Sequence, residues 1–217
     1  MEPCVILEHW TPMRVAAEAA WTCTDNDGRA RKDHEDLDIL LRCLRRGHES
    51  VLEHIVFTFK LEGFSRAMLQ ELSRHRIASL SVMSTRWCLR RLLSKEDHFD
   101  VDSDEDLKRA LKYLVPTGSE DVDCNNVMQL NAMIAASKDG VLSDELKYMI
   151  PEAFRTKCYL TINLRSLRNL LELRTSPRAL EEFRDFACMM ATAICQVTAD
   201  DRHFWLIEDV GDCVEED

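Results

Sequence analysis

The chain has 217 residues, of which 46% are hydrophobic and 31% charged, with only six glycines and five prolines. That balance excludes a disordered or collagen-like chain and predicts one compact, largely helical domain over 1–217, closed by an acidic tail from about 208. A formal net charge of −11 speaks against a generic nucleic-acid binder, whose non-specific affinity comes from neutralising phosphates. No run of about 18 apolar residues is present, so no spanning helix and no membrane partner are expected. The start, Met1 to Glu8, lacks the basic region and long apolar stretch of a secretory signal. Nine cysteines without a C-x-x-C pair read as reduced thiols in a cytoplasmic protein rather than a disulfide framework or a zinc site.

Taken in chain order, residues 14–23 are Ala-rich and favour a helix, which the turn Asp25-Asn26-Asp27-Gly28 interrupts. Leu37, Leu40, Leu41 and Leu44 recur at helical spacing and predict a helix over 35–46 ending at Gly47. From Ile55 the period becomes two: Ile55, Phe57, Phe59 and Leu61 alternate with Val56, Thr58, Lys60 and Glu62. This is the pattern of a half-buried strand, stopped by Gly63. Ser65 is placed to cap a helix running to about Arg74. The serines at 79, 81 and 84, separated by apolar residues, predict a loop or extended segment. The acidic stretch Ser94 to Asp106 reads as a solvated loop leading into a helix near 104–115, with further helices at 122–137 and 143–149. Thr161 to Asn163 suggests a short strand. Leu167, Leu170 and Leu171 form a helical stripe, and Ser176-Pro177 supplies an N-cap and first-turn proline for a helix to about Cys195. The class is therefore α+β: a helix-dominated domain with a small antiparallel sheet.

Charge is segregated along this chain. Residues 64–92 hold six arginines (Arg66, Arg74, Arg76, Arg86, Arg90, Arg91) and one acid, Glu71, whereas 94–108 hold seven acids. A cationic patch in an acidic body suits capture of a small anion better than of a long polyanion. Its centre is Arg74-His75-Arg76, followed by a hydroxyl-rich segment to Arg86. Guanidinium forks donate paired hydrogen bonds to phosphate, and serine hydroxyls and loop amides complete such a cradle. The same Arg-His-Arg is equally compatible with simple complementation of a helix dipole. Arg174 falls on the stripe of Leu167, Leu170 and Leu171, where a partly buried cation requires a partner, a local acid such as Glu172 being one option. Arg165 and Asn169, four apart, can grip one ligand from another face of that helix. The histidines and acids of His48-Glu49-Ser50-x-x-Glu53-His54 match no standard zinc spacing, so no metal is expected. Neither G-x-G-x-x-G nor a P-loop occurs, so neither a Rossmann nor a P-loop nucleotide site is supported.

Three blocks together resemble the flavin-dependent thymidylate synthases. Arg74-His75-Arg76, seven residues, then Ser84 matches that family's R-H-R-x7-S signature. His48 to Phe59 resembles its H-x-[ST]-x-x-E-H stretch and following strand. Asn163-x-Arg165-Ser166-Leu167-x-Asn169, with Leu173-Arg174, resembles its C-terminal block. The resemblance spans about 48–186 and leaves 94–142 without a specific match. It implies a helix-rich α+β domain assembled as a homotetramer with active sites built from several subunits. The implied reaction is reductive methylation of dUMP to dTMP, with methylenetetrahydrofolate supplying the carbon and NADPH reducing FAD.

Carried over by position, the resemblance assigns FAD to His48, Ser50, Arg74, His75, Arg76, Val82, Asn163, Leu164, Arg165 and Asn169. It assigns dUMP to Glu71, Leu72, Ser73, Arg74, Val82, Met83, Ser84, Thr85, Arg86 and Lys147. Arg174 is implied as the activating residue against the uracil ring, where a guanidinium lowers the cost of negative charge at N3. No enzyme nucleophile is implied, and Ser84 is a binding hydroxyl. The chain departs from most members at Glu71 (usually Gln), Ser81-Val82 (Asn-Glu), Trp87 (Tyr) and Lys147 (Arg). A branch of the family with L-Q-E-L-x-R-H-R and S-L-S-V accounts for the first two. Two other readings stay open on residues alone: a homologue acting on another pyrimidine nucleotide, and a helical module whose arginine patch binds an acidic partner or RNA.

Overall fold

The computed structural model describes residues 2–23 and 32–198. The expected turn at Asp25 to Gly28 and the acidic tail from 208 lie outside the described residues. Four strands form one sheet in the order β1-β2-β4-β3: β1 Cys4–Trp10, β2 Val56–Ser65, β3 Ala78–Val82 and β4 Arg155–Asn163. Around it are α1 Met13–Thr22, α2 Asp33–Arg45, α3 Arg66–Leu72, α4 Thr85–Leu93, α5 Asp104–Ala110, α6 Glu120–Lys138, α7 Ser143–Leu146, α8 Leu164–Arg174 and α9 Glu181–Thr198. Short 3-10 turns cover Glu49–His54 and Lys147–Met149. The helix-dominated α+β class with a small antiparallel sheet is the one the sequence predicts.

The alternation read in the sequence governs the central strand. Phe57, Phe59 and Leu61 of β2 have no exposed surface, while Thr58 and Lys60 are half-buried. Its neighbour β4 repeats the pattern, burying Thr156, Cys158, Leu160 and Ile162. The register is visible in three pairs: the Leu164 N–H donates to Ile55 O (2.8 Å), the Thr58 and Thr161 hydroxyls lie 3.0 Å apart, and Lys157 Nζ is 3.4 Å from Glu62. Residue numbers on one strand fall as those on the other rise, so the pair is antiparallel.

Several boundaries differ from the sequence reading, each for a local reason. β4 is nine residues long rather than three, because Arg155, Lys157 and Tyr159 on its outer face hide the apolar alternation from composition. β1 is absent from the sequence reading, since its burial pattern does not alternate cleanly and Ile6 stays 41% exposed. Ser176-Pro177 does not open the last helix. The Ala179 N–H donates to Ser176 O (2.9 Å) in a turn of its own, and α9 begins at Glu181. The capping role of Ser65 holds: its Oγ accepts from the Met68 N–H at 3.0 Å, and α3 ends at Leu72.

The chain divides into two compact units. One comprises residues 2–3, 62–74 and 81–158. Its core centres on Leu89, Leu92, Phe99, Leu130 and Met133, all without exposed surface. The acidic stretch contributes directly to this core and is not merely a solvated loop. Asn131 pins Phe99 through both its backbone groups, accepting from its N–H and donating to its carbonyl at 2.8 Å each. Arg109 lies over the Phe99 ring at 5.0 Å and bonds Glu96 (2.8 Å), Asp106 (2.7 Å) and His98 O (2.6 Å). Tyr113 donates to Glu96 at 2.9 Å, and burial together with that carboxylate pushes its hydroxyl up to about 12.

The other unit comprises 4–61, 75–80 and 159 onward. There α1 packs on α2 and on the 3-10 turn Glu49–His54, while α9 packs on β1 and α8. Among the described residues seven cysteines (Cys4, Cys23, Cys43, Cys88, Cys124, Cys158, Cys195) carry free thiols, and Cys188 departs from the expectation in being disulfide-bonded.

Gly63 does not stop β2; the strand passes through it to Ser65. Its φ of +82° is strained for any L side chain, and a Cβ would stand 2.5 Å from the Glu2 carbonyl oxygen. Gly63→Ala is therefore expected to destabilise the protein by more than about 1 kcal/mol, lowering the thermal midpoint by at least roughly 2 °C in a calorimetric scan.

Candidate functional site

The residues singled out in the sequence gather in two sets, one in each compact unit. In the first unit, α3 carries Glu71 and Leu72 and then stops. Ser73 N–H donates to Leu69 O (2.9 Å) and its hydroxyl to Gln70 O (2.8 Å), so Ser73 closes the helix. Leu72 has no exposed surface; it is a core residue that can reach a ligand only through its backbone. Arg74 follows in the turn, its N–H donating to Glu71 O, with its side chain exposed.

The segment 82–86 emerges from the end of β3. Val82 is 40% exposed and the Met83 N–H donates to Lys157 O at 2.9 Å. Ser84 is the N-cap of α4, yet it caps with its carbonyl, accepting from Trp87 and Cys88, while its hydroxyl makes no capping bond. Hydroxyl and first-turn amides at Thr85 and Arg86 therefore stand together at the positive end of a nine-residue helix, an arrangement suited to phosphate. Arg86 grips Asp144 with Nε and Nη2 at 2.6 and 2.7 Å. This exposed pair adds little stability but brings the 82–86 segment to α7. Lys147 follows α7, exposed, with its ammonium 5.7 Å from the Tyr148 ring.

In the second unit the 3-10 turn Glu49–His54 presents His48 and Ser50 to solvent. Its acids hold Arg165 across 112 residues of sequence: Arg165 Nη1 donates to Glu53 at 2.7 Å, and Nε lies 3.4 Å from Glu49. Arg165 thus ties the His48–His54 block to α8. Asn163 is the N-cap of that helix, its Oδ1 accepting from the Ser166 N–H at 2.9 Å. Leu164 is buried completely, and Asn169 is exposed on the outer face.

Arg174, at the C-terminal end of α8, is half-buried. Besides any local acid, it finds an imidazole and a ring. Its Nε donates to His75 Nε2 at 3.1 Å, and its guanidinium carbon lies 4.8 Å from the centre of the Phe183 ring. His75 in turn stands edge-on to Phe183, with ring centres 6.1 Å apart and planes at 84°. Accepting from a guanidinium requires the neutral imidazole with its proton on Nδ1. Burial, and then the Arg174 charge, push the His75 pKa down to about 4, so the acceptor persists at neutral pH. The 48–54 block, His75 and the 163–174 block, scattered in sequence, meet in this one unit. Sequence reasoning did not single out Phe183, Glu53 as the holder of Arg165, or Asp144. For Phe183 no periodicity or motif offers a signal, because its contact with Arg174 depends on how α8 and α9 pack.

Among the described residues no group of three His, Cys, Asp or Glu side chains is placed to hold a metal, and no helix is long and apolar enough to cross a membrane. A helix-dominated α+β chain with an exposed cationic turn, a helix-terminal hydroxyl and a guanidinium held by imidazole has the make-up of an enzyme for an anionic ring ligand. Comparison with known proteins makes this specific. The family model "Thymidylate synthase complementing protein" matches residues 5–198. The flavin-dependent thymidylate synthase of Helicobacter pylori is 39% identical over 210 residues, covering 94% of this chain and 97% of that protein. The Wolinella succinogenes enzyme of the same name is 40% identical over 194 residues, 88% and 92% of the two chains. A crystal structure of Helicobacter pylori thymidylate synthase X, with FAD and dUMP, superposes with a TM-score of 0.84 at 35% identity, covering 99% of this chain and 100% of that one. The chain belongs to the flavin-dependent thymidylate synthase family.

The His75–Arg174 contact has a pH signature. His75 is expected to titrate near 4 in an imidazole NMR titration, and Arg174→Ala to move it upward. Because its folded pKa lies below the ordinary 6.5, the unfolded chain takes up a proton first. Its contribution to stability is full above about 6.5 and declines as pH falls toward 4. An imidazole that titrates at 6.5 in both proteins would contradict the geometry.

Proposed function

We infer that the protein is a flavin-dependent thymidylate synthase that converts dUMP to dTMP, with FAD bound, methylenetetrahydrofolate as carbon donor and NADPH as reductant. The observation that carries this reading is the meeting of His75 with Arg174, and of Arg165 with the 48–54 block, in a chain of this family. The donor set suits the ligands. Arg74, Arg76 and Arg165 offer exposed guanidinium groups for the diphosphate of FAD, and His48, Ser50 and Asn169 offer smaller exposed polar groups. Asn163 and Leu164 act as helix cap and core anchor that set the position of Arg165. The flavin, when bound, supplies the hydride; the protein's part is to orient and polarise.

For dUMP, the reading assigns the phosphate to the Ser84 hydroxyl and the first-turn amides of α4, with Arg74, Arg86 and Lys147 supplying charge. Val82 and Met83 line the approach, while Glu71, Leu72 and Ser73 set the backbone before Arg74. Arg86 must exchange part of its Asp144 pairing for the ligand, which an exposed pair permits at small cost. Lys147 keeps the charge of the usual arginine without its planar fork. Arg174, already aligned by His75, stands against the uracil ring and stabilises negative charge there.

The same reading takes the protein to be a cytoplasmic homotetramer. The seven free thiols among the described residues, Cys188 being the exception, support a reducing compartment. Self-association is supported by Trp87 and Tyr148, 69% and 85% exposed, on α4 and the 3-10 turn that packs against it.

Purified protein is expected to be yellow, to show a flavin spectrum perturbed by dUMP, and to form dTMP from dUMP, methylenetetrahydrofolate and NADPH. A colourless protein that neither binds FAD nor reduces it with NADPH would sink the reading. Arg174→Ala is expected to retain flavin but to lose turnover by roughly a hundredfold or more, the scale of a lost charge-stabilising group. Full turnover in that variant would remove the assigned role.

A further inference from the structure

The set of side chains around Arg174 carries a conclusion beyond the assigned site. Phe183 has no exposed surface and sits near the start of α9, where its ring face meets the Arg174 guanidinium at 4.8 Å. A guanidinium stacked over an aromatic face is held by the negative quadrupole of the ring as well as by contact area. His75 completes the bracket. It accepts from Nε on one side of the guanidinium, and its own ring stands nearly perpendicular to the same phenyl ring. Arginine has four side-chain torsions and loses much rotamer freedom when it must act from one position. A hydrogen bond on Nε fixes one edge of the planar group, and a ring beneath fixes the plane itself. The two constraints are different and neither replaces the other.

We propose that Phe183 is a positioning residue for the reaction: with His75 it holds the Arg174 guanidinium in one plane, ready for the uracil ring. This rests on the reading of Arg174 given above. Phe183 itself touches neither substrate nor flavin. Its contribution is preorganisation, so that dUMP binding does not have to order a mobile guanidinium.

Truncation of so buried a ring risks unfolding, so the test keeps its shape. Mono-, di- and trifluorophenylalanine placed at position 183 of the flavin-loaded protein conserve volume closely while draining the face of the ring of negative charge. The dUMP dissociation constant is read from the flavin absorbance change, and dTMP formation is measured beside it. Dissociation constants are expected to rise stepwise with fluorine count, by roughly two- to thirtyfold in all, at unchanged flavin content and unchanged melting temperature. In an Arg174→Ala background the same series is expected to be flat. Constants that do not move across the series, or that rise equally in both backgrounds, would overturn the proposal, since each marks a ring that only packs. Failure of the underlying reading looks different. An Arg174→Ala protein that binds and converts dUMP like its parent removes Arg174 from the site, and it does so without reference to Phe183.

Discussion

A cation that is half taken out of water must be compensated on every side it turns to the protein, and Arg174 imposes that requirement on its surroundings. The compensation is chemically varied. His75 stays neutral because burial disfavours its charged form and, secondly, a proton on Nε2 would set charge against charge and lose an acceptor. Phe183 offers the face of a ring, which accepts positive charge while remaining apolar enough for the interior. The consequence reaches outward, because each partner belongs to a different element. Arg174 ends α8, His75 follows the turn after α3, and Phe183 opens α9. For one guanidinium to be satisfied, these three pieces of chain must be brought together, and the chemistry of the site and the packing of the second unit are therefore the same problem.

The strand β2 solves the other half of it. Its alternating residues bury Phe57, Phe59 and Leu61 on one face, each worth about 1.5–3 kcal/mol of apolar transfer. Antiparallel pairing with β4 then fixes where β4 ends, and the Leu164 N–H bonding to Ile55 O sets the first turn of α8. Asn163 caps that turn. From there the helical period carries Leu167, Leu170 and Leu171 into the core and leaves Arg165 and Asn169 outside. A slip of one residue between β2 and β4 would send the buried set to the other face and carry Arg165 away from Glu53. Register in the sheet thus sets the position of Arg165 on the helix.

How much of this could be read from the sequence follows from how local each signal is. The period-two run from Ile55, the Ser65 cap and the leucine stripe of α8 are set by neighbours a few residues away, and they hold. The extent of β4 was hidden because Arg155, Lys157 and Tyr159 on its outer face look polar until the strand is known to have two different sides. The start of α9 was misplaced because Ser176-Pro177 is a good cap by chemistry, but its turn closes on itself before the helix begins. The acidic stretch misled in a different way. Composition sees seven acids, whereas the fold needs Phe99 in the core, with Glu96 and Asp106 drawn in by Arg109. Among candidate site residues, the sequence named Arg174, His75 and Arg165 through their motif blocks. It could not name Phe183, Glu53 as a partner, or Asp144, since each is defined only by contact across long stretches of chain.

Motif residues need not all act on ligands, and the structure separates them by what they touch. Leu72 and Leu164 lie wholly inside, so their place in a motif block reflects packing that sets the backbone of their neighbours. Asn163 and Ser73 spend polar groups on helix ends. Arg74, Arg76, Ser84, Arg86, Arg165 and Arg174 are the exposed or half-exposed groups, the ones the proposed function assigns to anions and rings. Even among these, Arg86 and Arg165 are already paired with carboxylates, Asp144 in one case and Glu49 with Glu53 in the other. A charged ligand competes with those acids, and what it gains is the difference between two pairings rather than the whole of one. The partners of Arg174 include a neutral imidazole and an aromatic ring, neither of which competes for negative charge on a ligand. Partners of that kind hold a guanidinium in place while leaving its charge available to an anion.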